Sequence, residues 1–392
     1  YSFIAYQTAY LKAHYTAEFL AANLTNEFGS SDKVTKFLED CRKLKIEVLP
    51  PDVNKPSVNF DVADNKIRFG MSAIKNVGKT AVEEIIKKKK KLDRNFNNIF
   101  DFCMIVDTRI VNKRALEGLV LAGAFDSVFK NRATLFESVE LALDFGHKIQ
   151  NSKLSSGDSL FEGTEEVLIT EPKLRKQDPW SEKERLTRER EVIGFYVTGH
   201  PLQKYETEYN SFTKFRMGET ENLQDMQNVK ACGVITDLRT KIDRAGKTMA
   251  FFKIDDFSGS CECLMFSKVY DDYGNFLKEE EPVFILGNLE SSGDAVKIHV
   301  NKVIPMEIAR QELAQSVKII IDKEKNSVEQ LSAFKSILQE NDGKLPVFIH
   351  LNNNGSRGKL FSLEQYRVSL TEKFIQDVKK LFGNDAIKLN SK

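Results

Sequence analysis

"VKACGVITDLRTKIDRAGKTMAFFKIDDFSGSCECLMF", from Val229 to Phe266, decides how the chain is read. Three runs of strand-forming residues are separated by turn signals, Gly246 in the first gap and Ser258-Gly259 in the second. The pattern predicts strand, hairpin, strand, tight turn, strand. Parity sorts the side chains. Ala250, Phe252 and Ile254 alternate with Met249, Phe251 and Lys253, and Cys261, Cys263 and Met265 alternate with Glu262, Leu264 and Phe266. The face carrying Lys253 and Glu262 is the wetter one. A short helix around "KVYDDYGNFLK" follows, then two strands, "PVFILGNLES" and "DAVKIHVNKVIPM", joined at Ser292-Gly293-Asp294. Five strands with a helix between the third and fourth is the order of an OB-fold barrel.

Outward from the barrel the texture changes. Beyond it, "VKIIID", "SVEQLSAFKSILQ", "LPVFIHL" and "TEKFIQDVKKLF" read as strand, helix, strand, helix, a small α/β domain. Before it, residues 151–179 are polar and carry Pro172 and Pro179, as a tether would, and "WSEKERLTREREVIGFYV" restarts as a charged helix. Helices dominate from Ala73 to about Gln150. A strand pair is expected in "VNFDVADNKIRFGM" with Asp64-Asn65 as its turn, and residues 3–24 carry Phe3, Tyr6, Tyr10, Phe19 and Leu20 at helical spacing. The fold class is therefore multidomain α+β. The expected boundaries are 1–65, 66–150, 151–179, 180–227, 228–306 and 307–392.

Among 392 residues, five cysteines and five histidines lie scattered, with no CxxC pair. That argues against a metal site and for a reduced, cytoplasmic protein. No run of about 18 apolar residues exists, so no membrane helix is expected. The net charge of +1 hides an asymmetry: 15 Lys and Arg against 7 Asp and Glu between Lys66 and Arg132, yet five acids and no base from Gly157 to Glu171. Such segregation speaks about partners. The opening "YSFIAYQTAYLKAHYTAEFL" starts in mid-helix without methionine, so a fragment is expected.

Within the basic segment, "AIKNVGKTAVEEII" fits a helix-hairpin-helix template. It offers Ile74, a tight turn Asn76-Val77-Gly78, then Val82, Ile85 and Ile86. Asn76 stands where a first glycine is usual, and asparagine tolerates the left-handed region. Such a turn aims backbone N–H groups at a phosphate without reading any base. Lys75 and Lys79 flank it, and Lys87–Lys91 follow. "IVDTRIVNKRALEGLVLAGAF", with Arg109, Asn112, Lys113 and Arg114 ahead of an apolar helix, is a candidate second copy. The bland alternative is an αα-hairpin with a solvated lysine run.

The barrel offers a second surface, for single-stranded DNA. Phe251 and Phe266 are candidate base-stacking platforms, and Arg239, Lys241, Arg244, Lys247 and Lys253 could track phosphates. An equal alternative is a structural barrel whose aromatic face packs on a neighbour. The adjacent acids Asp255-Asp256 and Asp271-Asp272 diverge and sit by turns, so turn chemistry is the expected role. No phosphate-loop, dinucleotide, nucleophile-elbow or zinc-protease motif is present. The residues themselves define no active site and no cofactor.

Taken together in order, "YQTAYLKAHYTAEFLAA", "DKVTKFLEDCRKLKIEVLPPDVNKP", "IRFGMSAIKNVG", "VDTRIVNKRALEGLVLAGAFD", "REVIGFYVTGHPL" and "KTMAFFKIDDFSG" resemble the alpha-subunit family of bacterial DNA polymerase III, the C-family replicative polymerases. The resemblance covers roughly residues 1–306 and the tail only loosely. It implies that 1–65 is a remnant of the fingers. It also implies that a PHP domain and a palm with three metal-binding aspartates, the site of Mg2+, lie outside this chain, leaving it inactive alone. A sliding-clamp-binding pentapeptide, of the form Gln, any residue, Ser or Asp, Leu or Met, Phe, is implied at Gly157, Asp158, Ser159, Leu160 and Phe161, with Gly157 replacing the glutamine. The implied partners are primer-template DNA, single-stranded DNA, the clamp (beta subunit) and, in some bacteria, the clamp-loader tau subunit at the tail. The competing readings are a stand-alone helix-hairpin-helix and OB protein and a non-catalytic scaffold.

Overall fold

The computed structural model describes residues 1–28, 31–155, 170–218, 226–292, 295–322, 327–353 and 356–391. The chain forms two compact units, 1–200 and 201–392.

The first unit is mostly helical. Residues 3–24 form two helices, α1 (Ser2–His14) and α2 (Thr16–Asn26), broken at Tyr15. Only α2 reaches the core, through Ala17, Leu20, Ala21 and Leu24. Next come α3 (Ser31–Lys43) and a three-stranded sheet of β1 (Val48–Leu49), β2 (Asp61–Ala63) and β3 (Lys66–Arg68), in the order β1-β3-β2. Asp64 and Asn65 both have positive φ (53° and 57°), as a two-residue hairpin turn between β2 and β3 requires.

Among the described residues six α-helices follow: α4 (Lys79–Lys91), α5 (Ile99–Ile105), α6 (Lys113–Leu121), α7 (Arg132–Glu137), α8 (Val139–Ser155) and α9 (Glu182–Ile193). Their starts are written in the sequence. Asn98, Asn112 and Asn131 each accept a backbone N–H three residues on, capping α5, α6 and α7. Each such cap contributes about 1 kcal/mol. Ser181 does the same for α9, and Gly194 ends that helix in the left-handed region. The faces they bury meet in one core, where Phe102 packs edge-on against Phe96 and Phe125, both at 5.1 Å.

The second unit begins with α10 (Glu206–Phe212) and then forms the expected barrel. Strands β4 (Asn228–Ile242), β5 (Thr248–Asp255), β6 (Ser260–Met265), β7 (Pro282–Ser292) and β8 (Ala295–Pro305) close in the order β4-β5-β6-β8-β7, with α11 (Ser267–Tyr273) between the third and fourth. Ala250, Phe252, Ile254, Cys261, Cys263 and Met265 fill its interior, as parity predicts. The tail adds α12 (Met306–Leu313), β9 (Ala314–Asp322), α13 (Val328–Glu340), β10 (Asp342–Asn353), β11 (Ser356–Val368), α14 (Glu372–Phe382) and β12 (Ile387–Ser391). Its sheet runs β11-β10-β9-β12, with β9 and β10 parallel. Sequence patterning indicates β9, α13, β10 and α14 but neither outer strand, nor α12.

Asp256 shows why its acidic pair is structural. The buried carboxylate accepts from Ser258 N–H (2.7 Å), Ser258 Oγ (2.7 Å) and Gly259 N–H (3.0 Å), which shapes the β5–β6 turn. Its other oxygen accepts from the Tyr209 hydroxyl at 2.8 Å and Met217 N–H at 3.2 Å.

Candidate nucleic-acid interface

In the first hairpin, Val77 N–H donates to Ile74 C=O (3.0 Å) and Asn76 adopts the left-handed region at φ 67°. Val77 is buried while Lys75, Asn76, Gly78 and Lys79 are exposed. The Lys75 N–H is not available to a ligand, since it donates to Val192 C=O on α9 (2.8 Å). The ladder of α4 starts with Ala81 N–H on Gly78 C=O at 2.9 Å, and no side chain caps the helix. The N–H groups of Lys79 and Thr80 therefore open ahead of it.

Gly78 itself is informative. Its φ of −68° and ψ of 154° suit any residue, and a Cβ built there would meet nothing within 4 Å. Nothing in this chain demands a glycine at that point. A bare backbone in open space leaves room for an outside group to come close.

The candidate second copy corresponds to α5, a turn, and α6. Val111 N–H donates to Asp107 C=O (2.9 Å), and Glu84 of α4 accepts from Asp107 N–H (3.4 Å), tying the hairpins together. Gly118 on α6 faces the first turn, where a Cβ would stand 2.9 Å from Lys75 O, so glycine permits this close approach. The cations are not equivalent. Arg109 holds Asp107 at 2.8 Å and Lys113 pairs with Glu140, whereas Lys75 and Arg114 are exposed and, among the described residues, have no ion-pair partner. The Arg109 guanidinium keeps the Asp107 carboxyl down at about 2. Asn112 spends its side-chain oxygen on Ala115 N–H (3.1 Å).

On the barrel, register places Arg239 beside Phe251, Phe251 beside Leu264 and Leu264 beside His299. The next row carries Lys253, Glu262 and Lys297. Phe251 is 37% exposed and Phe266 48%. Lys241 Nζ lies 5.3 Å above the Phe251 ring, and Phe266 meets His299 edge-on at 5.5 Å. A groove of about 270 Å³ runs between Arg239, Phe251, Lys253, Leu264 and Lys297. Lys253 is paired with Asp237 at 3.3 Å, and the β4–β5 register shifts by a bulge between Thr236 and Arg239. Arg244 and Lys247 ride the β4–β5 hairpin, which Asp243 organises by accepting from Ala245 and Lys247 N–H (2.8 and 2.9 Å). His299 and Lys297 were missed from sequence, although the buried Ile298 and Val300 on β8 set their parity.

Gly157, Asp158, Ser159, Leu160 and Phe161 lie outside the described residues. Among the described residues no cluster of His, Cys, Asp or Glu could hold a metal ion, and no helix is long and apolar enough to cross a membrane.

Comparison with known proteins falls on the same two surfaces. Residues 45–135 match the helix-hairpin-helix motif family and residues 229–306 match the OB-fold nucleic acid binding domain family. DNA polymerase III subunit alpha of Vibrio cholerae is 30% identical over 397 residues, covering 99% of this chain and 34% of its own length. That of Deinococcus radiodurans is 36% identical over 361 residues, 90% of this chain and 27% of its own. The chain is homologous to DNA polymerase III subunit alpha. It spans about a third of the length of the relatives it matches. The described residues do not fit the magnesium centre that the DNA polymerase III family implies, and no metal-dependent step is assigned to them.

Proposed function

We propose that this chain is the DNA-gripping and clamp-docking part of a replicative DNA polymerase, with the nucleotidyl-transfer centre in the remainder of the parent protein. The tandem hairpins hold primer-template duplex through its phosphates, the barrel guides single-stranded template, and Gly157–Phe161 plug into the sliding clamp. The tail is the candidate contact for the clamp loader's tau subunit. The observation that carries the reading is Gly78: an exposed glycine that the fold does not require, at the open start of α4, inside a segment that matches the helix-hairpin-helix family. Phosphate oxygens suit that site because free N–H groups and the helix dipole both favour an anion.

The test is a salt titration of duplex binding. Changing Lys75, Lys79, Lys113 and Arg114 to alanine should weaken affinity and flatten the slope by about 0.9 for every phosphate no longer neutralised. Lys75 and Arg114 should account for most of the change, since Lys113 is already held by Glu140. An unchanged slope would favour the scaffold reading.

A further inference from the structure

The tail holds a concave site that the hairpins and barrel leave unused. A cavity of about 880 Å³ opens along the edge strand β12, between α10 and α14. Its lining is polar, with Asn210 and Ser211 from α10 and Asn390 from β12. Arg216, Lys318, Lys379 and Lys388 reach it, against the carboxylates Glu206 and Asp385.

Two of these cations stand in an unfavourable arrangement. Lys318 and Lys388 are direct partners in the antiparallel β9–β12 pair, so they share one face of the sheet. Like charges in that position repel and destabilise a sheet. Among the described residues, neither has a carboxylate within ion-pair distance. The adjoining partner of Lys318 on β10 is Phe348, half-buried, followed by Ser362 on β11. One row of side chains thus runs Lys388, Lys318, Phe348. Residues of the opposite parity, Val317, Ile319 and Leu389, are buried in the core that α13 and α14 cover.

A bound anion would relieve the lysine repulsion, and so polar a cavity does not suit an apolar helix. An aromatic ring next to paired lysines is the pattern of a single-strand platform, where backbone charge and base stacking are met side by side. We propose that this cavity and row bind the phosphate backbone of a single-stranded nucleic acid, with phosphates on Lys318, Lys388 and Arg216 and a base against Phe348. The site is built from other elements than the barrel surface and is tested independently of it.

Lysine-acylation footprinting of the whole chain, read by mass spectrometry, follows each lysine separately. Adding an oligothymidine should protect Lys318 and Lys388. The double variant Lys318→Gln, Lys388→Gln should lower the single-strand salt slope by about 1.4, twice the value per phosphate. It should leave protection of Lys241 and Lys247 on the barrel intact, and thermal stability should hold or rise as the repulsion is removed. Protection by inorganic phosphate but not by oligothymidine would overturn the strand and leave a small-anion site. Protection by poly-glutamate alone would overturn it in favour of an acidic protein segment. Protection by none of the three would overturn the site. Loss of barrel protection with the tail still protected would count against the barrel reading only.

Discussion

Arg132 Nη1 donates to Glu189 Oε2 across 2.9 Å, with the two residues 3% and 0% exposed. The pair fastens α9 to the helices that follow the second hairpin. Arg132 also forks onto Asp126 (2.6 and 2.9 Å) and donates to Leu121 C=O (2.9 Å). Glu189 also accepts from Val197 and Thr198 N–H (2.9 and 2.8 Å) and the Thr198 hydroxyl (2.6 Å). Each guanidinium nitrogen of Arg132 and both carboxylate oxygens of Glu189 have a partner, which is the condition under which a buried ion pair is tolerated.

Breaking one side should therefore be costly. Arg132→Met is expected to destabilise the first unit by about 3 kcal/mol, because the buried Glu189 carboxylate loses its hydrogen-bonded cation and keeps only Arg185, at 3.8 Å. Trp180, the single tryptophan, lies in that unit under Arg188 at 4.4 Å and reports its unfolding by fluorescence in urea. The double variant with Glu189→Met should cost less than the two single changes added, which a double-mutant cycle measures.

Acid should loosen the same unit at a second point. Asp101 accepts Arg94 at 2.5 and 2.8 Å and Asn97 N–H at 2.9 Å. The bond from Arg94 holds its carboxyl below the usual range, helped by the Asn97 N–H and opposed by burial. A depressed carboxylate contributes stability above its unfolded value, about 3.9, and loses it as pH falls through the lower folded value. Asp101→Asn should therefore be less stable than the parent at neutral pH, with the gap closing below about pH 4. Urea midpoints measured across that range check it.

Much of this was legible in the sequence, for identifiable reasons. The barrel could be read because its strands alternate strictly and its turns carry Gly246 and Ser258-Gly259, so parity alone separated Phe252 from Phe251. Asn76 was legible because few residues accept positive φ. The strand β11 was not, because it is an edge strand whose Lys359, Leu360, Phe361 and Ser362 are all exposed and show no period-two contrast. Nor was the use of the Lys75 N–H by Val192, or the pairing of Lys318 with Lys388. Both join residues far apart in the chain, and only the folded topology brings them together.

Gly78 allows stability and binding to be separated. Serine is a better N-cap than a residue without a side-chain acceptor, so Gly78→Ser should leave the fold as stable or stabilise it by a few tenths of a kcal/mol. Its side chain would occupy the open space a phosphate needs, and duplex affinity should fall. Urea unfolding and fluorescence anisotropy on the same preparation read the two effects. A serine variant that binds duplex as tightly as the parent would remove the hairpin from the interface.

The clamp plug makes a prediction of opposite signs. If the proposed plug docks on the clamp, Leu160→Ala with Phe161→Ala should abolish clamp binding while duplex affinity is retained, since the two side chains would be its apolar anchors. Gly157→Gln should strengthen clamp binding, because a restored amide adds a hydrogen bond worth about 0.5–1.5 kcal/mol, up to roughly tenfold. Surface plasmon resonance against immobilised clamp measures both. Clamp capture that survives the double alanine change would defeat the assignment.

The barrel face is decided by its two exposed rings. Phe251 and Phe266 point away from the interior that Phe252 and Met265 fill, so truncating them should leave the barrel folded, which circular dichroism checks. If they stack bases, each alanine change should cost about 1–3 kcal/mol of affinity for a single-stranded oligonucleotide. Phe251→Ala should also weaken the salt dependence, because Lys241 rests over that ring and loses its placement with it. If the face instead packs on a neighbouring protein, both variants would bind the oligonucleotide as the parent does. The salt slope would then be unmoved as well, which separates a missing stacking surface from a merely displaced lysine.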